Sequence, residues 1–69
     1  METETKKMIF HYELLIRNAE AQLSVLNMEW HENKSDGLAV LIGNVEAFIQ
    51  RATDEKNEVI RMARKKRAA

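Results

Sequence analysis

One interior segment of the chain, residues 32–37, combines a lack of apolar side chains with several turn-forming residues. Its sequence is ENKSDG, and Asn, Ser, Asp and Gly are the residue types that favour tight turns. Proline, the strongest helix breaker, is absent from all 69 residues, and both flanking stretches are rich in strong helix formers. We therefore expect an all-α chain with helices at about residues 4–32 and 37–66. The turn centres on Ser35–Gly37, and either Ser35 or Asp36 caps the second helix.

Apolar residues recur at helical spacing on both sides of this turn. The stripe on the first helix comprises Met8, Tyr12, Leu15, Ala19, Leu23, Leu26 and Trp30. The stripe on the second helix comprises Leu38, Leu41, Ile42, Val45, Phe48, Ile49, Ala52, Val59, Ile60 and Ala63. Because a short connection makes neighbouring helices antiparallel, the two stripes predict an antiparallel two-helix hairpin, with residues 1–69 forming a single domain.

A second apolar line runs along the first helix, roughly opposite its main stripe. It consists of Phe10, Leu14, Ala21, Val25 and Met28. One hairpin covers only one side of a helix, so this line must meet another chain or stay in water. Burying a Phe, Leu, Val or Met side chain contributes about 1.5–3 kcal/mol, and four of them rival the stability of a small domain. We expect a homodimer that forms a four-helix bundle. Scattered surface residues and contact with a different protein are the alternatives.

The size of the chain also favours a partner. Domains below about 70–80 residues usually depend on disulfides, a metal ion or oligomerisation. The sequence has no cysteine, which excludes disulfides and thiolate metal sites and fits a reducing, cytoplasmic location. The two histidines, His11 and His31, point to different sides of the first helix, so we expect no metal site. No hydrophobic run is long enough to span a bilayer, and we expect no contact with a membrane.

Five positive charges and no negative charge lie near the C-terminus, within residues 61–67. They are Arg61, Arg64, Lys65, Lys66 and Arg67. Cations at this position complement the helix dipole and aid solubility. They also suit an anionic partner such as nucleic acid, although no aromatic residue is interleaved with them to stack on bases. The formal net charge of the whole chain is +0, so it gives no general indication of such a partner.

No constellation of residues indicates catalysis. Ser24 and Ser35 lack a base and an acid in a fixed arrangement. Gly37 and Gly43 do not fit a phosphate-binding loop. We therefore expect neither an enzyme nor a bound cofactor.

Three residues depart from the simple helical pattern. Lys56 stands where the second stripe calls for an apolar residue; either its stem packs at the core edge or it makes a functional polar contact. Trp30 either closes the core near the turn or, with His31, forms an exposed binding hot spot. Gly43 lies inside a helix, where it costs about 1 kcal/mol relative to alanine. It either permits close approach of helices in a dimer or is neutral.

The layout of two long helices, one tight turn and no catalytic motif resembles Rop-type plasmid copy-control hairpins and small secretion co-chaperones. This resemblance lies in architecture alone, so no residue role is carried over. The leading hypothesis is a non-enzymatic interaction protein, a homo-oligomeric helical hairpin that binds and regulates or chaperones another protein. The alternative is a Rop-like regulator that binds nucleic acid through the basic C-terminal end.

Overall fold

Two long helices lying side by side make up the fold. The structure, a computed structural model, describes residues 3–68 and the side chains of residues 3–66. Helix α1 spans Thr3–Glu32 and helix α2 spans Asp36–Ala68. The hairpin measures 53 × 15 × 12 Å. The predicted all-α hairpin is confirmed, and the helix ends lie within two residues of the expected ones.

Only three residues connect the helices. The Asn33 amide donates a hydrogen bond to the Glu29 carbonyl oxygen over 2.8 Å, which extends the last turn of α1. The Ser35 hydroxyl oxygen accepts a hydrogen bond of 3.2 Å from the Leu38 amide, so Ser35 is the N-cap of α2. This confirms one of the two predicted caps. None of the described residues has a positive φ, so the reversal needs no glycine-specific backbone conformation.

The side chains turned toward the other helix recur at alternating spacings of four and three residues. In α1 these seam positions are Thr5, Ile9, Tyr12, Ile16, Ala19, Leu23, Leu26 and Trp30. On the other side they are the N-cap Ser35 and, in α2, Leu38, Ile42, Val45, Ile49, Ala52, Lys56, Val59 and Ala63. All of them are partly or fully buried. An average spacing of 3.5 residues is typical of helices that supercoil around each other.

The predicted stripes include five residues that lie outside the seam. Leu15 and Ile60 are partly buried beside it. Met8 is 49% exposed, Leu41 is 49% exposed and Phe48 is 40% exposed, so none of them lies in the seam. In α1 the seam includes Ile9 and Ile16, which are absent from the predicted stripe. The error has a geometric cause. A helical wheel drawn at 100° per residue drifts relative to a repeat of 3.5 residues per turn. A residue beside the seam is then easily assigned to the seam in place of its neighbour.

Two of the unusual residues lie in the seam. Lys56 occupies a seam position and is partly buried, as the core-edge interpretation predicted. Trp30 is also partly buried, at the last seam position before the turn. The Lys34 ammonium lies 5.1 Å from the Trp30 ring centroid, and the His31 ring meets the indole edge-on with 5.7 Å between centroids. The end of α1 is thus closed by a small aromatic and cationic cluster.

The hairpin contains almost no core. Ala19 and Ala52, each 5% exposed, are the buried hydrophobic residues of the described part of the chain, and no large side chain there is fully buried. Two helices form a single layer, and a layer needs a second one to enclose large side chains. The large apolar side chains of the described residues therefore keep part of their surface accessible to solvent.

Replacing Gly43 with alanine is expected to raise the free energy of unfolding by about 0.5–1 kcal/mol. Gly43 lies in the interior of α2, and no atom lies within 4 Å of the place where a Cβ would stand. Urea denaturation at a fixed protein concentration measures the change. A loss of stability or of assembly would indicate instead that Gly43 permits a close helix contact between chains.

Candidate functional site

Nine large apolar side chains are between 39% and 65% exposed on this small hairpin. They are Met8, Phe10, Leu14, Val25, Met28, Val40, Leu41, Phe48 and Met62. Single exposed apolar residues are ordinary, whereas contiguous patches mark interaction surfaces. The position of each residue relative to the seam shows which of them lie together.

Three adjoining depressions form one groove along a single side of the hairpin, between α1 and α2. The central depression, of about 350 Å³, shares Gln22, Leu41 and Val45 with a neighbour of about 480 Å³. It shares Leu15 and Phe48 with the third, of about 210 Å³. The groove is lined in α1 by Tyr12, Leu15, Asn18, Ala19, Ala21, Gln22, Val25 and Leu26, and in α2 by Leu41, Asn44, Val45, Phe48, Arg51, Ala52 and Glu55.

The groove follows from the sequence register. In α1, Leu15 immediately precedes the seam residue Ile16; in α2, Leu41 and Phe48 immediately precede seam residues. Each seven-residue repeat contains two seam positions, and the residue that precedes the first of them lies on one flank of its helix. In an antiparallel pair, these flanking residues of both helices lie on the same side of the pair. By the same register, this row continues to Met8 in α1 and Met62 in α2.

The opposite side of the hairpin carries three glutamates along its middle. The residues that follow seam positions on that side include the exposed Glu13 and Glu20 in α1 and Glu46 in α2, with Lys6 and the partly buried Ile60 toward the free end. The hairpin therefore has one apolar side, which carries the groove, and one charged side. This asymmetry is what a helix pair shows when only one of its sides meets another layer.

The second apolar line predicted on α1 is exposed but does not form one surface. Ala21 and Val25 line the groove. Phe10, 61% exposed, and Met28, 65% exposed, lie outside the lining residues, as does Leu14. These last three form what we call the outer face of α1. The structure thus assigns the five predicted residues to two different surfaces.

Sequence reasoning missed the groove because it placed Leu41 and Phe48 in the core. A signal for them was present. Leu41 and Ile42 are adjacent apolar residues, as are Phe48 and Ile49 one heptad later. A pair of adjacent apolar residues repeated every seven positions indicates a helix face too broad for one partner. One member of each pair packs in the seam, and the other, Leu41 or Phe48, is exposed beside it.

Tyr12 of α1 and Glu55 of α2 line the same depression at one end of the groove. The nearby Glu55 carboxylate, as a hydrogen-bonding group and as a negative charge, raises the pKa of Tyr12 above its ordinary value, and partial burial adds to the shift. Arg51 lines the same depression. The groove is thus mainly apolar at the end lined by Val25 and Leu26, mixed at its centre, and charged at the end lined by Arg51 and Glu55.

The predicted basic cluster is exposed at Arg61, Arg64, Lys65 and Lys66, and the side chain of Arg67 lies outside the described residues. Arg61 forms an ion pair with Glu58, and its Nε donates a hydrogen bond of 3.1 Å to Glu58 Oε2. This hydrogen bond, reinforced by the guanidinium charge, lowers the pKa of Glu58. One cation of the cluster is therefore engaged within its own helix.

The two ends of the hairpin differ in charge. The turn end carries Glu29, Glu32 and Asp36 against Lys34. The free end, where α1 begins and α2 finishes, carries Lys6, Lys7, Arg61, Arg64, Lys65 and Lys66 against Glu4 and Glu58. The turn end is thus net acidic and the free end net basic.

Further comparisons add no known function. Within the described residues, no three metal-binding side chains come together in a group. Neither helix, over its described length, combines the length and apolar character needed to cross a membrane. The chain matches no protein-family model, no curated protein and no solved structure at a significant level.

Proposed function

We propose that this chain is a non-enzymatic, cytoplasmic interaction protein, a homo-oligomeric helical hairpin that binds and regulates or chaperones another protein. The observation that carries the proposal is the contrast in burial. Ala19 and Ala52 are the buried hydrophobic residues of the described chain, while nine large apolar side chains are exposed. Such a hairpin gains most of its stability from other chains.

The exposed area of the hairpin supports assembly. The chain of 8.0 kDa has an accessible surface of 5559 Å². A compact monomer of this mass has about 4,450 Å² by the scaling for folded proteins. The excess of about 1,100 Å² compares with the roughly 800 Å² that each partner buries in a standard protein interface. Pairing with a second hairpin removes an excess of this size.

The outer face of α1 supports binding of a further protein. Phe10, Leu14 and Met28 are exposed outside the groove. Apolar residues on one face of an exposed helix are typical anchors in helix-mediated recognition. Aromatic side chains supply much of the energy of such interfaces, and the flexible methionine side chain adapts to partner surfaces. Assembly and partner binding thus draw on different side chains.

Sedimentation equilibrium over the micromolar range tests the assembly. A photo-crosslinking amino acid at Phe10, introduced in the native host, tests the partner, with the same probe at Gln50 as a control on an exposed polar position. We expect a dimer or larger species, and a discrete crosslinked protein from position 10 alone. Purified partner should then lose at least about tenfold in affinity for Leu14→Asp.

A stably folded monomer would contradict the proposal, as would a Leu14→Asp variant that keeps full affinity for the crosslinked protein. The nucleic-acid alternative predicts something else. It requires binding to a random DNA or RNA oligonucleotide at low salt, abolished by neutralising Arg64, Lys65 and Lys66 together.

A further inference from the structure

We propose that the groove is the homodimer interface, and that it is filled by the groove of a second copy lying head to tail. The turn end of one chain then lies against the free end of the other. This inference rests on the homo-oligomeric part of the proposed function and adds which surface is used and in which orientation.

The composition of the groove fits a second copy. Its central depression is lined by Leu15, Ala19, Leu41, Val45 and Phe48 together with the amides Asn18, Gln22 and Asn44. Tyr12 and Glu55 line the depression at one end. Placing two such sides together builds a four-helix bundle in which leucine and phenylalanine side chains fill the space above the seam. The excess surface of each chain matches what each partner in a stable pair of this kind buries.

The opposite side of the hairpin is unsuited to self-association. In a two-fold symmetric dimer the same patch of both chains meets itself. Joining the charged sides would bring Glu13, Glu20 and Glu46 of one chain toward the same carboxylates of its copy. Like charges at an interface oppose association. The apolar side is therefore the one that accepts a second copy.

The distribution of charge selects the orientation. A head-to-head dimer would place two basic free ends together and two acidic turn ends together. A head-to-tail dimer places each basic free end beside an acidic turn end. The two hairpins have the same length of 53 Å, so when they lie side by side the turn end of one chain is level with the free end of the other. Opposite potentials favour the second arrangement and guide the encounter of the chains.

This arrangement has a consequence for the outer face of α1. Ala21 and Val25, as groove residues, become covered in the dimer. Phe10, Leu14 and Met28 lie outside the groove and stay accessible on both chains. The dimer thus offers two copies of the outer face to partner proteins, and binding of a partner need not compete with assembly.

Two adjacent residues of α2 provide a matched test of the interface. Leu41 lines the groove, whereas Val40, 61% exposed, lies outside the groove lining. We expect Leu41→Asp to raise the dimer dissociation constant at least about a hundredfold, because a charge is buried twice per dimer. Val40→Asp should change it less than about threefold. Sedimentation velocity measures the mass, and circular dichroism measures the helix content.

The other outcomes separate the two proposals. If Leu41→Asp stays dimeric while Phe10→Asp dissociates, the outer face is the interface; the groove inference is then wrong and the proposed function survives. If the native chain is a folded monomer at all concentrations, both are wrong. Should Leu41→Asp fail to fold, orientation and interface are tested with labels that leave the groove intact.

Because the sequence has no cysteine, single labels can be placed at Thr3→Cys in the free end and Asn33→Cys at the turn. Donor-labelled and acceptor-labelled chains are mixed in pairs. With a donor–acceptor pair whose Förster distance is well below the length of the rod, we expect strong energy transfer between Thr3 and Asn33 labels. Transfer between two Asn33 labels, which lie about 45 Å apart along the rod, should be weak. Strong transfer between two Asn33 labels would overturn the head-to-tail orientation, and equal transfer in all pairs would overturn an ordered groove dimer.

Discussion

Ala52→Leu is expected to lower the free energy of unfolding by about 1–3 kcal/mol. Ala52 is 5% exposed in the seam and borders the depression of about 210 Å³ at one end of the groove. A leucine side chain there is larger than the contact it replaces, so it either pushes the helices apart or adopts an unfavourable rotamer directed into that depression. Leucine is nearly as good a helix former as alanine, so the loss reports packing and not helix propensity.

Ala47→Leu is the matched control for this substitution. Ala47 lies in the same helix and is exposed, so the same change should alter stability by less than about 0.5 kcal/mol. Urea denaturation of both variants at one protein concentration gives the comparison. Equal effects at the two alanines would mean that Ala52 does not lie at a close approach of the helices, which would contradict the seam described above.

The thermal midpoint is expected to rise by about 10 °C for each hundredfold increase in protein concentration. An enthalpy of about 0.7 kcal/mol per residue gives about 95 kcal/mol for two chains, and mass action converts this enthalpy into the expected shift. The physical reason lies in the missing core. In the proposed dimer, a hairpin whose buried side chains are alanines draws its stability from the second chain.

Calorimetry or circular dichroism between micromolar and submillimolar protein measures this dependence. Gly43→Ala serves as a control, because it should raise the midpoint at every concentration without changing the slope. A midpoint that is constant over this range would show that the hairpin folds alone, and it would remove the main support for assembly. A slope that appears only above a threshold concentration would indicate a hairpin that folds alone and associates only weakly.

The helices and the turn could be predicted because their signals are local. The ENKSDG segment contains its own cap at Ser35, and helix formers fill the rest of the chain. Local preferences of this kind depend on neighbours within one or two helical turns. They required no knowledge of how the two helices meet.

The groove could not be predicted in the same way. Whether Leu15 or Ile16 turns toward α2 depends on the supercoil of the helix pair, which a single straight wheel does not contain. The same holds for Phe48 and Ile49. The exposure of Phe10, Leu14, Val25 and Met28 was predicted, but their division between two surfaces depends on where α2 lies.

The near absence of buried side chains has a consequence for the level of this protein in a cell. In the proposed assembly, an unpaired hairpin has little stability of its own, and chains that open are degraded by proteases. Pairing with a second copy then protects the chain. Because pairing depends on the square of the chain concentration, the protected amount rises more steeply than the rate of synthesis, and a small change in expression produces a larger change in the working form.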